Sequence, residues 1–408
     1  MKRISAIRQP VRRYARGVSM VELMVANTIA LLVTLAVLTS VLTLGRQFSV
    51  IGANVAVQGN AQIAMLAIDA AAGSAGAGLY SNGQLICPTW NAYNGTTVVS
   101  NGAAMMPARI VSGASASASD TLVFSGGTGA GVLSGVPVMA PAMGANIKVG
   151  QGGKFALGDL ALIGVPGSGE PCTLFEVTTA PAASPSGCGG NATSCDIIVR
   201  NPNQGLNPNP SDFTNEPNYG FATSGSVIGP AVVSRIGSAS AGLRQDAFTV
   251  QCNSLVRYNA FTNSTVPACT SNPLSFGAGV DAIAMDVVQM HAQYGISTAG
   301  SSDVVTQWVD ASGATWGGTP SVANVARIKA VRVVIVTRSR EAEGSSVSSA
   351  CTNAASVANT GPCSFQDAAA PVIDLSATTV AAGKTWRNYR YRVHKAVVPL
   401  RNVIWSDS

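Results

Sequence analysis

Between Val18 and Leu44 the chain runs for 27 residues with one charge, Glu22, and Arg46 ends the run. A helix of that length rises about 1.5 Å per residue and reaches roughly 40 Å, enough for a hydrocarbon core of about 30 Å. A secretory signal peptide has an apolar region of only about 7–15 residues followed by a small-residue cleavage site. The run is longer than that and is predicted to cross a membrane. Six basic residues, Lys2, Arg3, Arg8, Arg12, Arg13 and Arg16, precede the first acid, as expected of a cytoplasmic flank. With residues 1–17 set aside, basic and acidic residues balance at 19 each. The formal charge of +6 therefore belongs to the leader and makes no case for a nucleic-acid partner.

Glu22 is the anomaly in the run. An acid inside a membrane helix costs on the order of 2.5–3.5 kcal/mol, which makes it a functional candidate in need of a partner. No Lys or Arg lies in the following 23 residues, so the partner must come from another chain or from a newly made N-terminal amine. An ammonium about 4 Å from the carboxylate gains roughly 4 kcal/mol at an effective dielectric of about 20. Docking of a second chain in the correct register can thus offset the insertion cost.

Beyond the run the composition suits an extracellular structural protein. Charged residues are 11% of the chain, against roughly 25% in ordinary soluble domains. All eight cysteines, Cys87, Cys172, Cys188, Cys195, Cys252, Cys269, Cys351 and Cys363, follow the apolar run. Their even number and the absence of metal-ligand spacing point to disulfides in an oxidising compartment. Proximity suggests Cys188 with Cys195, Cys252 with Cys269, and Cys351 with Cys363, leaving Cys87 and Cys172 for a long bridge. Eight cysteines allow 105 connectivities.

No proline occurs between Pro10 and Pro88, so the helix is predicted to continue for about 50 residues in all, with Ile63, Leu66, Ala67 and Ala70 as an apolar face. Gly73, Gly76 and Gly78 are expected to end it. After Tyr80 the chain turns into short β-prone runs between Gly, Ser, Asn and Pro, such as Thr121–Phe124 and Ile197–Val199. Residues 112–119 and 201–220 read as exposed loops or a boundary between lobes. In VVQMHAQYG, Val288, Met290, Ala292 and Tyr294 alternate with Gln289, His291 and Gln293, the period of a half-buried strand. IKAVRVVIVTR is apolar on both faces and reads as a central strand. YRYRVHKAVV alternates Tyr389, Tyr391 and Val393 with Arg390, Arg392 and His394. An antiparallel sheet against the N-terminal helix follows.

Enzyme chemistry finds little support. The two histidines, His291 and His394, accompany no triad pattern, and no phosphate-binding, HExxH or EF-hand motif occurs. His291 is read as a surface residue. Asp303 and Asp310 near Gly300 are read as loop acids rather than calcium ligands. No catalytic residue, cofactor or metal is expected. The C-terminal basic set, Lys384, Arg387, Arg390, Arg392, Lys395 and Arg401, admits three readings: DNA capture through phosphate contacts, an edge strand guarded by charge, or a subunit docking surface.

The leader ending in Gly17, the following Val18, Glu22 five residues past the glycine and the unbroken apolar helix resemble the class III signal of type IV prepilins and pseudopilins, with Val18 where Phe is usual. That resemblance implies cutting by a prepilin peptidase after Gly17, N-methylation of Val18, and a role for Glu22 in attracting the terminal amine of a neighbouring subunit. The segments LVRYN (255–259), VDAIAMDVVQMHAQYGIST (280–298), ARIKAVRVVIVTRS (326–339) and VPLRNVIW (398–405) are similar to the PilW-like minor pilins. The resemblance implies a non-enzymatic subunit of a type IV pilus. It further implies a precursor in the inner membrane with its head in the periplasm, later incorporated into the pilus at the cell surface, and a part in starting assembly near the tip. The partners the resemblance implies are the peptidase, other minor and major pilins and a tip adhesin, with DNA the less favoured. A J-type pseudopilin of type II secretion and a pilus-associated binder of DNA or a surface ligand are the alternatives.

The expected fold class is α+β: a pilin-like long N-terminal helix packed on an antiparallel head enlarged by an additional β-rich lobe. The expected divisions are a leader (1–17), a membrane and assembly helix (18–44), its amphipathic continuation (45–78), a first lobe (79–230) and a second lobe (231–408).

Overall fold

The computed structural model describes residues 19–405 apart from 82–83, 128–134, 141–144, 151, 185–187, 189–193, 210–230, 240–242, 264–267, 272 and 319. Gly17, Val18 and most of the 201–220 loop therefore lie outside the described residues. The chain divides into two compact units, Met1–Val55 and Ala56–Ser408.

A helix, α1, covers Met20–Ser74, 55 residues. Within the first unit, Met20–Gly45 has a mean hydropathy of 2.2 and no buried residue. The hydroxyls in this stretch are satisfied inside the helix. Thr28 donates to the Val25 carbonyl at 2.8 Å, Thr34 to Ala30 at 2.7 Å and Ser40 to Ala36 at 2.9 Å. Such back-bonding lets Ser and Thr sit in an apolar medium without an orphaned group.

In the second unit, the end of α1 packs through alanines. Ala64, Ile68, Ala71, Ala72 and Ala75 are buried in the main core, while Ile63 is 55% and Leu66 69% exposed. This corrects the sequence expectation. Ile63, Leu66 and Ala70 are exposed and Ala67 packs only partly on the core, so the packing face is the neighbouring stripe of Ala64, Ile68, Ala71 and Ala72. The helix stops at Ser74, and Gly76 takes a φ of 81° that favours glycine.

The sheet against this helix has four strands: β1 (Val287–Ile296), β2 (Gln307–Val309), β3 (Ile328–Arg338) and β4 (Tyr391–Pro399), in the order β2-β1-β3-β4. All its pairings are antiparallel. Met290, Ala292 and Tyr294 of β1, Val331, Val333 and Ile335 of β3, and Val398 of β4 face the helix in the core. Both faces of β3 are buried, as its unbroken apolar run requires.

Among the described residues, three further sheets of three or more strands and three two-stranded ones make up the rest of the body. A five-stranded sheet runs Val280–Met285, Ser254–Asn259, Arg244–Gln251, Thr121–Gly126, Ala108–Val111. A six-stranded sheet runs Val98–Ala104, Thr89–Tyr93, Cys172–Glu176, Asp159–Gly164, Val232–Ser238, Val136–Pro137. Thr179–Ser184, Cys195–Val199 and Asn146–Val149 form a three-stranded sheet. Strands from before and after residue 230 share the five- and six-stranded sheets. Cys172–Glu176 lies parallel to Thr89–Tyr93, so the antiparallel rule has an exception.

The buried Tyr294 ties the four-stranded sheet to an edge strand of the five-stranded one. Its hydroxyl accepts the Ile110 N–H at 2.7 Å, and burial pushes its pKa up to about 12. Tyr294→Phe leaves that N–H unpaired in the core and is expected to cost about 1–2 kcal/mol in a denaturant titration, with the fold retained.

Candidate assembly surfaces

Ser19 precedes the first turn of α1 and Glu22 lies within that turn. The Ser19 N–H donates to Glu22 Oε2 at 3.1 Å, and the Val21 N–H donates to Ser19 Oγ at 3.3 Å. The Ser-x-x-Glu spacing is that of a capping box, in which the glutamate satisfies an amide at the helix start and opposes the positive end of the helix dipole. Sequence reasoning treated Glu22 only as a charge seeking a partner and missed this second role, although SMVE displays it. Glu22 is exposed, and its one bond among the described residues lies within its own turn.

At the other end of the helix, the C-terminal Pro-Leu-Arg-Asn segment reaches back. Asn402 Nδ2 donates to the Gly73 carbonyl at 3.2 Å and to the Ala75 carbonyl at 3.0 Å. Two acceptors that the helix cannot satisfy internally are thereby paired. Leu400 and Val403 enter the same core as the helix alanines. The motif that carried the resemblance at the C-terminus is thus a cap and wedge for the helix end.

The polar face of β1 is covered. Gln289 is 1%, His291 6% and Gln293 0% exposed, which corrects the reading of His291 as a surface residue. The 112–119 tract folds over it: Gln289 Nε2 donates to the Ala116 carbonyl at 2.7 Å, and His291 Nδ1 lies 3.3 Å from Asp120 Oδ2. From the other side the 339–390 excursion closes on the sheet through Arg332. This guanidinium, 3% exposed, bonds Gln293 Oε1 at 2.6 Å and both oxygens of Asp367 at 2.7 and 2.9 Å. It also lies 4.4 Å from the centroid of the Phe365 ring. Asp310 accepts from Gln293 Nε2 at 2.6 Å, and Asp303 Oδ1 stands 3.5 Å from Lys329 Nζ.

The hydrogen bonds from Arg332 outweigh burial, which acts in the opposite direction, and hold the Asp367 carboxyl below the usual carboxylate range. Asp367→Asn removes the carboxylate from a buried guanidinium. Because the Asp367 side chain is 45% exposed and water can reach it, the expected loss is about 2 kcal/mol, below the 3–5 typical of a fully buried pair. The pair's contribution is complete above the unfolded carboxylate value near pH 4 and is lost as the pH falls through the lower folded value. The stability difference between parent and variant, followed by urea titration, should shrink below about pH 4.

Four disulfides join Cys87–Cys172, Cys188–Cys195, Cys252–Cys269 and Cys351–Cys363. The basic set is spread over its surroundings. Arg390 pairs with Glu343 at 3.0 Å, Arg387 stacks on Trp386 at 5.1 Å and Lys395 lies 5.6 Å from the Phe365 centroid. Arg392 is exposed on β4. Beside it, burial first and the Arg392 charge second lower the pKa of His394.

No curated protein and no solved structure matches the chain. Residues 270–402 match the family model of PilW, the type IV pilus-assembly protein W. That span takes in the four-stranded sheet, the covered polar face and Asn402, and over it the chain is similar to the PilW proteins of type IV pilus assembly.

Proposed function

We propose that this chain is a minor pilin: a non-enzymatic precursor cut after Gly17, methylated on Val18, drawn from the inner membrane and built into a type IV pilus near its tip, where it helps start assembly with other pilins. The observation that carries this reading is the presence, in one chain, of a PilW match over 270–402 and an apolar N-terminal helix with one carboxylate in its first turn. The exposed Ile63 and Leu66 on the helix outside the body's own core also suit packing among subunits. A large head is most easily accommodated at a tip, where helical packing of neighbours constrains it least.

Intact mass and N-terminal peptide mapping, with and without the host's prepilin peptidase, test the reading. A chain beginning at N-methylated Val18 only when the peptidase is present is the expected result. A chain retaining Met1–Gly17 in both strains would refute it. Deletion that abolishes exoprotein secretion while twitching motility persists would instead assign the chain to type II secretion.

A further inference from the structure

Strand β4 is an edge of its sheet, and its register shows which of its backbone groups are free. Arg390 accepts the Ser339 N–H at 2.9 Å and Leu400 donates to the Lys329 carbonyl at 2.9 Å. The β3–β4 register is unbroken between these bonds. In an antiparallel ladder, bonded pairs recur every second residue. The inward-bonded residues are therefore Arg392, His394, Ala396 and Val398. The N–H groups of Tyr391, Val393, Lys395 and Val397 point away from β3, and no hydrogen bond to them is present among the described residues.

The surroundings of this edge favour one kind of occupant. Arg392 and Lys395 are exposed, and Val397 is 56% exposed. Arg392 and Lys395 lie on opposite faces of β4, and neither makes an ion pair among the described residues. The one carboxylate paired with this strand's entry, Glu343, is taken up by Arg390. An incoming strand sends alternate side chains to both faces, so carboxylates on both would meet a cation on each. Edge cations repel a basic strand and discourage indiscriminate pairing, but they reward an acidic one.

We infer that the outer edge of β4 binds an extended, carboxylate-bearing segment of another polypeptide by strand addition, using the outward amides for affinity and Arg392 and Lys395 for selection. This inference does not rest on the proposed processing or on which machine carries the chain.

The test uses the full chain in detergent micelles and an end-blocked Val-Glu peptide of repeating Val-Val-Glu-Glu, which puts carboxylates on both faces of the added strand, with a Val-Lys peptide of repeating Val-Val-Lys-Lys as comparison. Saturation with the Val-Glu peptide should slow hydrogen exchange at the Tyr391, Val393, Lys395 and Val397 amides by at least about tenfold. Val397→Pro removes an outward donor and no bond to β3, so its affinity should fall about tenfold while the Val331 and Val333 amides stay protected. If that variant does not fold, Arg392→Glu with Lys395→Glu serves, and the preference should switch to the Val-Lys peptide. Unchanged exchange at the four amides, equal affinity for both peptides, or displacement of the Val-Glu peptide by a DNA duplex at equal charge would each overturn the inference, the last by showing that charge alone is recognised.

Discussion

Glu22→Gln chains are expected to insert into the membrane normally and yet to fall at least about tenfold in sheared pili, a loss consistent with removing a carboxylate–ammonium attraction of a few kcal/mol. The choice of glutamine separates the two roles that one side chain holds. A capping box accepts Gln in place of Glu, so the bond from the Ser19 amide, 3.1 Å in the parent, is kept. What disappears is the charge. If Glu22→Gln pili contain the chain at the parental level and only Glu22→Ala is excluded, the residue serves the helix start and not a neighbouring subunit. Immunoblots of membranes and of sheared pili from the same cells provide both readings.

Replacing Cys87 and Cys172 together by alanine is expected to cost about 4.5 kcal/mol, against about 2.4 for the Cys188 and Cys195 pair, because a bridge constrains the unfolded chain more as its loop lengthens. The sequence separations are 85 and 7 residues. The long bridge also joins the ends of the parallel pair, since Cys172 is in register with Trp90. A parallel pairing needs a long crossover, whose closure entropy must be met before its contacts form. Both sulfurs are fully buried, and Gly164 of the adjacent strand lies so close that a Cβ there would collide with the Cys172 sulfur. Urea unfolding of the two double variants, in the same detergent, reads the difference. Equal losses would show that loop length does not set the contribution of these bridges.

Much of the architecture is legible along the chain because it follows from periods. The apolar run defines α1, the alternation in VVQMHAQYG defines β1, and the two-faced apolar run defines the buried β3. Side-chain direction is harder to read where two faces compete. Gln289, His291 and Gln293 look like a solvent face, and they would be one if the sheet stood alone. Segments 112–120 and 339–390 cover that face and supply Ala116, Asp120 and Ala369 as partners, which no local pattern announces. The helix face was misread for a related reason: hydrophobic size marks Ile63 and Leu66, whereas the tertiary contacts select Ala64, Ile68, Ala71 and Ala72.

By itself the sequence determined the elements that depend on local chemistry: a span long enough for a bilayer, the carboxylate in its first turn, the cysteine-rich body after it, and strands whose period is carried by neighbouring residues. Only the tertiary structure decided which surfaces meet. It set Asn402 on the carbonyls at the end of α1, closed the polar face of β1 around Arg332, and left the outward amides of β4 open. Those outcomes depend on groups brought together from distant positions, where hydrogen-bond satisfaction and packing, not periodicity, select the partner.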